Sequence, residues 1–95
     1  MANGYEVAYR DVVVGRDLPP LPRNMRVRIL QAIDARLRTE PARYGTRLRH
    51  SLLGLWKLRV GDYRVVYEIA GRAVRIWGIV HRRDGYAEME RRWKR

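Results

Sequence analysis

The chain has 95 residues, enough for one domain with a thin core. Its hydrophobic fraction of 46% is that of a folded protein rather than a disordered one, and with no cysteine it has neither disulfides nor thiolate metal sites. The formal net charge of +11 implies an anionic partner: nucleic acid, an acidic protein segment or an anionic membrane surface.

Lys57 and Lys94 are the only lysines; every other strong cation is an arginine. Arginine suits phosphate because its planar fork makes two parallel hydrogen bonds. An arginine-rich genome would fill surfaces the same way, but the scarce lysine at 57 sits in the middle of a strand run. No apolar stretch approaches membrane-span length, so no membrane partner is expected. The opening Met1-Ala2-Asn3-Gly4-Tyr5 lacks the pattern of a signal peptide. The absence of cysteine allows a cytoplasmic location.

In chain order, Tyr5 to Tyr9 alternates apolar and polar and predicts a first strand. Asp11 is placed to cap a short helix through Val12, Val13 and Val14 to about Leu18. Pro19, Pro20 and Pro22 then form a stiff connector. From Arg23 to Arg38 the period changes: Met25, Ile29, Ile33 and Leu37 recur every four residues, with Leu30 filling the stripe. This predicts an amphipathic helix of about four turns, packed by its stripe and closed by Pro41. Residues 42–51, with Arg43, Arg47 and Arg49, read as a basic loop.

Two hairpins follow. With Gly61-Asp62 as a two-residue turn, Val60 pairs with Tyr63, Arg59 with Arg64, Lys57 with Val66 and Trp56 with Tyr67. Alternation then places Trp56, Leu58, Val60, Tyr63, Val65, Tyr67 and Ile69 on the helix-covered face. Lys57, Arg59, Arg64, Val66 and Glu68 share the other. Arg59 opposite Arg64 is unfavourable for folding, which invites a functional explanation. Gly71-Arg72 makes the second turn, pairing Glu68 with Arg75, Val66 with Trp77 and Arg64 with Ile79. Asp84 is placed to cap a last helix whose Tyr86, Met89 and Trp93 form a stripe able to dock on Trp77 and Ile79.

No Ser-His-Asp set, glycine-rich phosphate loop or metal-ligand spacing is present, so neither metal nor cofactor is expected. His50 and His81 are isolated in sequence. A site made of these residues would act through its cations, neutralising charge at a phosphorus centre. RNA supplies its own nucleophile, the 2′-hydroxyl, and asks least of such a site.

The run Leu52 to Ile69, followed by Val80-His81-Arg82-Arg83-Asp84-Gly85-Tyr86, resembles the RelE/ParE superfamily of toxins from type II toxin–antitoxin modules, most of all its RelE branch. The resemblance covers nearly the whole chain and implies a single domain over residues 1–95. The fold it implies is α+β: a mainly antiparallel four-stranded sheet, an N-terminal helical hairpin on one face and a short C-terminal helix. RelE-like members are metal-independent endoribonucleases that cut mRNA on the ribosome through the 2′-hydroxyl. The resemblance assigns Lys57 as a base or phosphate contact, Arg64 to the scissile phosphate, Arg82 to a second phosphate contact or the acid role, and Tyr86 to the mRNA base. Arg49, Arg59 and Arg83 complete the expected RNA and phosphate contacts. The departure is Leu55, where well-studied members carry another basic residue. The implied partners are a cognate antitoxin, the ribosome and mRNA. The alternative is a ParE-like binder of DNA gyrase without RNA chemistry, and a third reading is an RNA-binding relic.

Overall fold

The computed structural model describes residues 4–94. Met1 to Asn3, on which the reading of no signal peptide partly rests, lie outside the described residues, as does Arg95. The sheet has five strands rather than the four expected, in the order β1 (Glu6–Tyr9), β5 (Ala73–His81), β4 (Tyr63–Ala70), β3 (Trp56–Val60), β2 (Thr46–Arg47). It is mixed: β1 runs parallel to β5 and the other pairs are antiparallel. The extra strand, β2, lies in the segment expected to be loop. Only its two residues pair with Trp56 and Lys57, too short a run for alternation to reveal.

The N-terminal helical hairpin exists in reduced form. Its first arm is one wide turn, Val13–Asp17, closed by the Leu18 amide donating to the Val13 carbonyl at 2.9 Å. Helical geometry begins at Asp11 itself, after Arg10 has accepted the first hydrogen bonds, so Asp11 is inside the turn and does not cap it. The second arm is α1 (Arg23–Ala32), continued by wider turns over Ile33–Leu37. The four-residue spacing explains the change. On a 3.6-residue helix each step of four overshoots by roughly 40°. Wider turns swing the stripe back, and Ile29, Ile33 and Leu37 all end fully buried. Pro41 opens the one-turn α2 (Pro41–Tyr44).

The stripe of α1 packs on Leu58, Val60, Val65, Tyr67, Val74, Ile76 and Ile79. Trp56, Tyr63 and Ile69 border the same core, as alternation required. The Tyr67 hydroxyl donates to the Pro41 carbonyl at 2.6 Å and fixes α2 to the sheet.

The β3–β4 register is the one the Gly61-Asp62 turn predicts, at all five pairs. The β4–β5 register begins as expected, with Glu68 opposite Arg75, and then slips by one. Tyr67 faces Ile76 but Val66 faces Gly78, so Trp77 is an extra, bulged residue. Arg64 consequently faces Val80, not Ile79. The slip sends Ile79 into the α1 core and leaves Trp77 and Val80 on the opposite face. Gly78 was the available signal, since glycine inside a strand marks a bulge or a close approach. It is both here: a Cβ at Gly78 would collide with the Met89 side chain.

Met89 belongs to α3 (Ala87–Trp93), which covers the second face. Met89, Leu48, Leu52, Leu55 and Val66 form a smaller core bordered by Trp77, Val80, Tyr86 and Trp93. The expected Tyr86, Met89 and Trp93 stripe therefore docks on Trp77, with the Trp77 and Trp93 rings edge to face at 4.9 Å, but not on Ile79. Asp84 does not cap α3. Its amide closes a turn onto the His81 carbonyl at 2.9 Å, and Gly85, at φ 65°, separates it from the helix.

A polar clasp completes this face. Beyond Ile76 the outer edge of β5 has no strand partner among the described residues. Side chains substitute: the Ile79 amide donates to Asp17 at 3.0 Å, and Arg92 donates to the Trp77 carbonyl at 3.0 Å. Arg92 and Asp17 also pair with each other at 2.8 Å, both nearly buried. Among the described residues no helix is long and apolar enough to cross a membrane.

Candidate functional site

β3 and β4 each deliver one residue to the α3-side face, and the turn between β5 and α3 delivers two more. Lys57 from β3, Arg64 from β4, Arg82 just after β5 and Tyr86 just before α3 all line one cavity of about 210 Å³. Val80, His81 and Gly85 complete its wall. The four residues span thirty positions of sequence and meet because strand alternation points Lys57 and Arg64 the same way. The tight turn at residues 81–86 then folds Tyr86 back over them.

Each cation is held differently. Arg64 is half-buried and folds along the hairpin, donating to the Tyr63 carbonyl at 3.0 Å and more weakly to Gly61 at 3.3 Å. Arg82 is anchored to the Gly61-Asp62 turn: its amide donates to the Asp62 carbonyl at 2.8 Å, and its guanidinium lies 3.3 Å from the Asp62 carboxylate. That pair is solvent-exposed, so it positions Arg82 more than it stabilises the fold. Burial pushes the Tyr86 phenol above its ordinary pKa, against the opposing pull of the Arg64 charge. Tyr86 therefore enters the cleft as a protonated, half-buried ring, able to stack or donate but not to serve as a base.

Arg59, Arg49 and Arg83 do not line this cavity. Arg59 sits directly opposite Arg64 on the strand ladder, yet lines a separate cavity of about 300 Å³ beside α1, with Arg28 and Arg36. The like-charged pair is tolerated because the two side chains diverge. Arg49 is exposed and precedes the single turn His50–Leu52. Arg83 is exposed, and its amide donates to His81 Nδ1 at 3.1 Å. Leu55, the position of the departure, is buried in the second core. Sequence reasoning passed over Asp62, which anchors Arg82, and His81, which lines the cleft. Asp62 lay in plain view in the Gly-Asp turn; His81 became visible only once the bulge had set the end of β5.

The arrangement is a cationic cup with one aromatic side, suited to a phosphodiester and its neighbouring base. Comparison with known proteins agrees with the fold. A family model described as the ParE toxin of type II toxin–antitoxin system, parDE, matches residues 14–86. The chain belongs to this toxin family, within the RelE/ParE superfamily. A curated relative, Toxin RelE of Mycobacterium tuberculosis, is 40% identical over 65 residues, which cover 68% of this chain and 66% of that relative. The toxin–antitoxin complex RelBE2 from Mycobacterium tuberculosis contains a chain of 31% identity and TM-score 0.77, matched over 82% of this chain and 98% of that one. Two further structures share the fold. One is from the RelB–RelE antitoxin–toxin complex of Methanococcus jannaschii, at TM-score 0.63 and 20% identity over 84% of this chain and 95% of that one. The other is a mutant of the E. coli toxin RelE in the free state, at TM-score 0.64 and 15% identity over 92% and 93%.

Proposed function

We propose that this toxin halts translation by cutting ribosome-bound mRNA. The observation that carries the reading is the convergence of Lys57, Arg64, Arg82 and Tyr86 on one cavity. The 2′-oxygen attacks the adjacent phosphorus as its proton leaves, and Lys57 is the candidate acceptor or phosphate contact. The bond from phosphorus to the 5′-oxygen breaks, and that oxygen gains a proton. The products are a 2′,3′-cyclic phosphate and a 5′-hydroxyl. Arg64 and Arg82 neutralise the charge that accumulates on the phosphoryl oxygens, the contribution that needs pre-positioned cations most. Tyr86 stacks on a base and fixes the register of the cut. No step calls on a metal or cofactor. The partners of this reading are mRNA, the ribosome and a cognate antitoxin. The last is supported by relatives whose structures are toxin–antitoxin complexes. The site of action is then the cytoplasm.

The test is induction in cells, followed by separate measurement of protein and DNA synthesis, then purified chain with programmed ribosomes. Protein synthesis should stop first, and new 5′-hydroxyl ends should arise only with ribosomes present. Arg64→Ala and Arg82→Ala should each lower cutting by about 10²–10³-fold while melting at the wild-type temperature. Undiminished toxicity in both variants would sink the assigned site. A second reading, inhibition of DNA gyrase by protein binding, is favoured by the ParE description of the matching family model. It predicts that DNA synthesis stops first and that no cuts form.

A further inference from the structure

Two of the four cleft residues, Lys57 and Arg64, are placed by strands. The other two, Arg82 and Tyr86, sit on the turn between β5 and α3, so the shape of that turn decides where they project. Three consecutive amides hold it. The Arg82 amide donates to the Asp62 carbonyl at 2.8 Å, the Arg83 amide to His81 Nδ1 at 3.1 Å, and the Asp84 amide to the His81 carbonyl at 2.9 Å. Two of these acceptors are backbone carbonyls, which any residue supplies. Only Nδ1 depends on a side chain. It accepts from the amide two residues on, the geometry of an Asx turn with an imidazole in place of the carboxamide. Accepting at Nδ1 puts the proton of the neutral ring at Nε2.

The ring has a second contact. It packs edge to face on Tyr63, its partner in the β4–β5 register, at 5.0 Å. His81 thus has both a packing contact and an acceptor contact, and the two respond to different substitutions. An apolar ring would satisfy the packing. It would also remove the acceptor of the Arg83 amide, and because Arg83 is exposed that amide would turn to water instead of staying aimed into the turn.

We infer that His81 is a positioning residue for the cleft: through Nδ1 it fixes the turn that aims Arg82 and Tyr86. The inference rests on the mRNA-cleavage reading and adds to it a residue that acts on the RNA through those two side chains.

The test crosses the two contacts in the full chain. His81→Phe keeps a ring against Tyr63 and removes the acceptor. His81→Asn removes the ring and keeps an acceptor the same number of bonds from the backbone, as asparagine does in its own turns. Each variant is added in excess to ribosomes carrying mRNA. The single-turnover cutting rate is read together with the melting temperature and the exchange rate of the Arg83 amide. His81→Asn should cut within a few-fold of the wild type and keep the Arg83 amide protected, whatever it loses in melting temperature. His81→Phe should melt within a few degrees of the wild type, exchange Arg83 faster and cut roughly ten- to a hundred-fold more slowly, since a small misplacement of a pre-set group costs that much. His81→Gln, whose acceptor lies one bond too far out, should be as slow, so the test stands even where His81→Phe does not fold. The reverse order, with His81→Phe active and His81→Asn inactive, would make His81 a packing residue and overturn the inference. Equal loss in both would place the ring itself in the chemistry, and equal activity would make the turn independent of it; either result overturns the inference and leaves cleavage standing. No cuts by the wild type would overturn the cleavage reading, and the inference with it.

Discussion

The two faces of the sheet are built on different principles. The α1 face is an apolar interior in which a helical stripe meets alternating strand residues, with Ile29, Ile33, Leu37, Val65, Tyr67, Val74 and Ile76 sealed from water. The α3 face has a small core around Met89 and Val66, and a polar clasp does much of the holding. The cationic cleft opens on this second face, beside the helix with fewer apolar anchors. A rigid face can carry the fold while the other arranges charges, and the difference predicts where damage unfolds the chain and where it disarms the site.

The largest effect should come from the α1 face. Ile33→Ala removes most of a fully buried side chain between α1 and the sheet, at a cost of about 2–5 kcal/mol. That is a large share of the stability of a small domain. Urea titration should show the loss as a lower midpoint with the slope unchanged. A cost below about 1 kcal/mol would mean that the α1 core collapses around the void and is looser than its burial implies.

The clasp comes next. Asp17→Ala leaves the Ile79 amide without its acceptor, at a cost of about 1–3 kcal/mol for an orphaned buried group, and reduces Arg92 to its bonds with the Trp77 carbonyl and Glu88. The distinguishing readout is local. Amide exchange should accelerate through α3 and at Tyr86 while the strands β3 and β4 keep their protection, because the clasp holds α3 and not the α1 core. Uniform acceleration across the sheet would erase the distinction between the faces.

The α1 face was also the legible one. Four-residue spacing of Met25, Ile29, Ile33 and Leu37 named the helix and its buried side, and the Gly61-Asp62 turn fixed every β3–β4 pair. That register alone put Lys57 and Arg64 on one face, and the resemblance added Arg82 and Tyr86, which line the same cavity. The α3 face was less readable because its features are non-local. A bulge at Trp77 reverses the alternation for the rest of β5, so Ile79 and Val80 exchanged sides relative to the simple hairpin. The Asp17 and Arg92 contact joins residues at opposite ends of the chain, which no periodicity reports. Arg59 holds its expected register opposite Arg64 but lines the cavity beside α1, because alternation gives the face of a Cβ, not where a long side chain ends.

Tyr67 tests the α1 face by pH. Burial raises its phenol well above the ordinary value, as it does less strongly at Tyr9 and Tyr86. A folded-state pKa above the unfolded one makes the folded chain hold its proton longer. The associated stability is whole below about pH 10 and is lost as pH rises toward the folded value. Stability should therefore fall steadily above pH 10. Tyr67→Phe should cost about 0.5–1.5 kcal/mol at neutral pH, through the lost bond to the Pro41 carbonyl, and should flatten that alkaline slope. An unchanged slope would assign the alkaline loss to other groups.

The smallest effect on stability is expected at Asp62, and it separates positioning from packing. Its ion pair with Arg82 is exposed on both sides, and such pairs contribute about 0–1 kcal/mol. Asp62→Ala keeps the Asp62 backbone carbonyl that accepts the Arg82 amide, so the turn itself survives. What it removes is the contact that aims the guanidinium at the cleft. Cutting of ribosome-bound mRNA should fall by about ten-fold while the melting temperature stays within a few degrees, because a misplaced group loses rate without loss of fold. Arg82→Lys in the same assay should do no better, since a point charge on a flexible stem cannot reproduce the fork. If Asp62→Ala cuts at the wild-type rate, Arg82 reaches the phosphate without its anchor, and the α3 face is less pre-organised than its hydrogen bonds suggest.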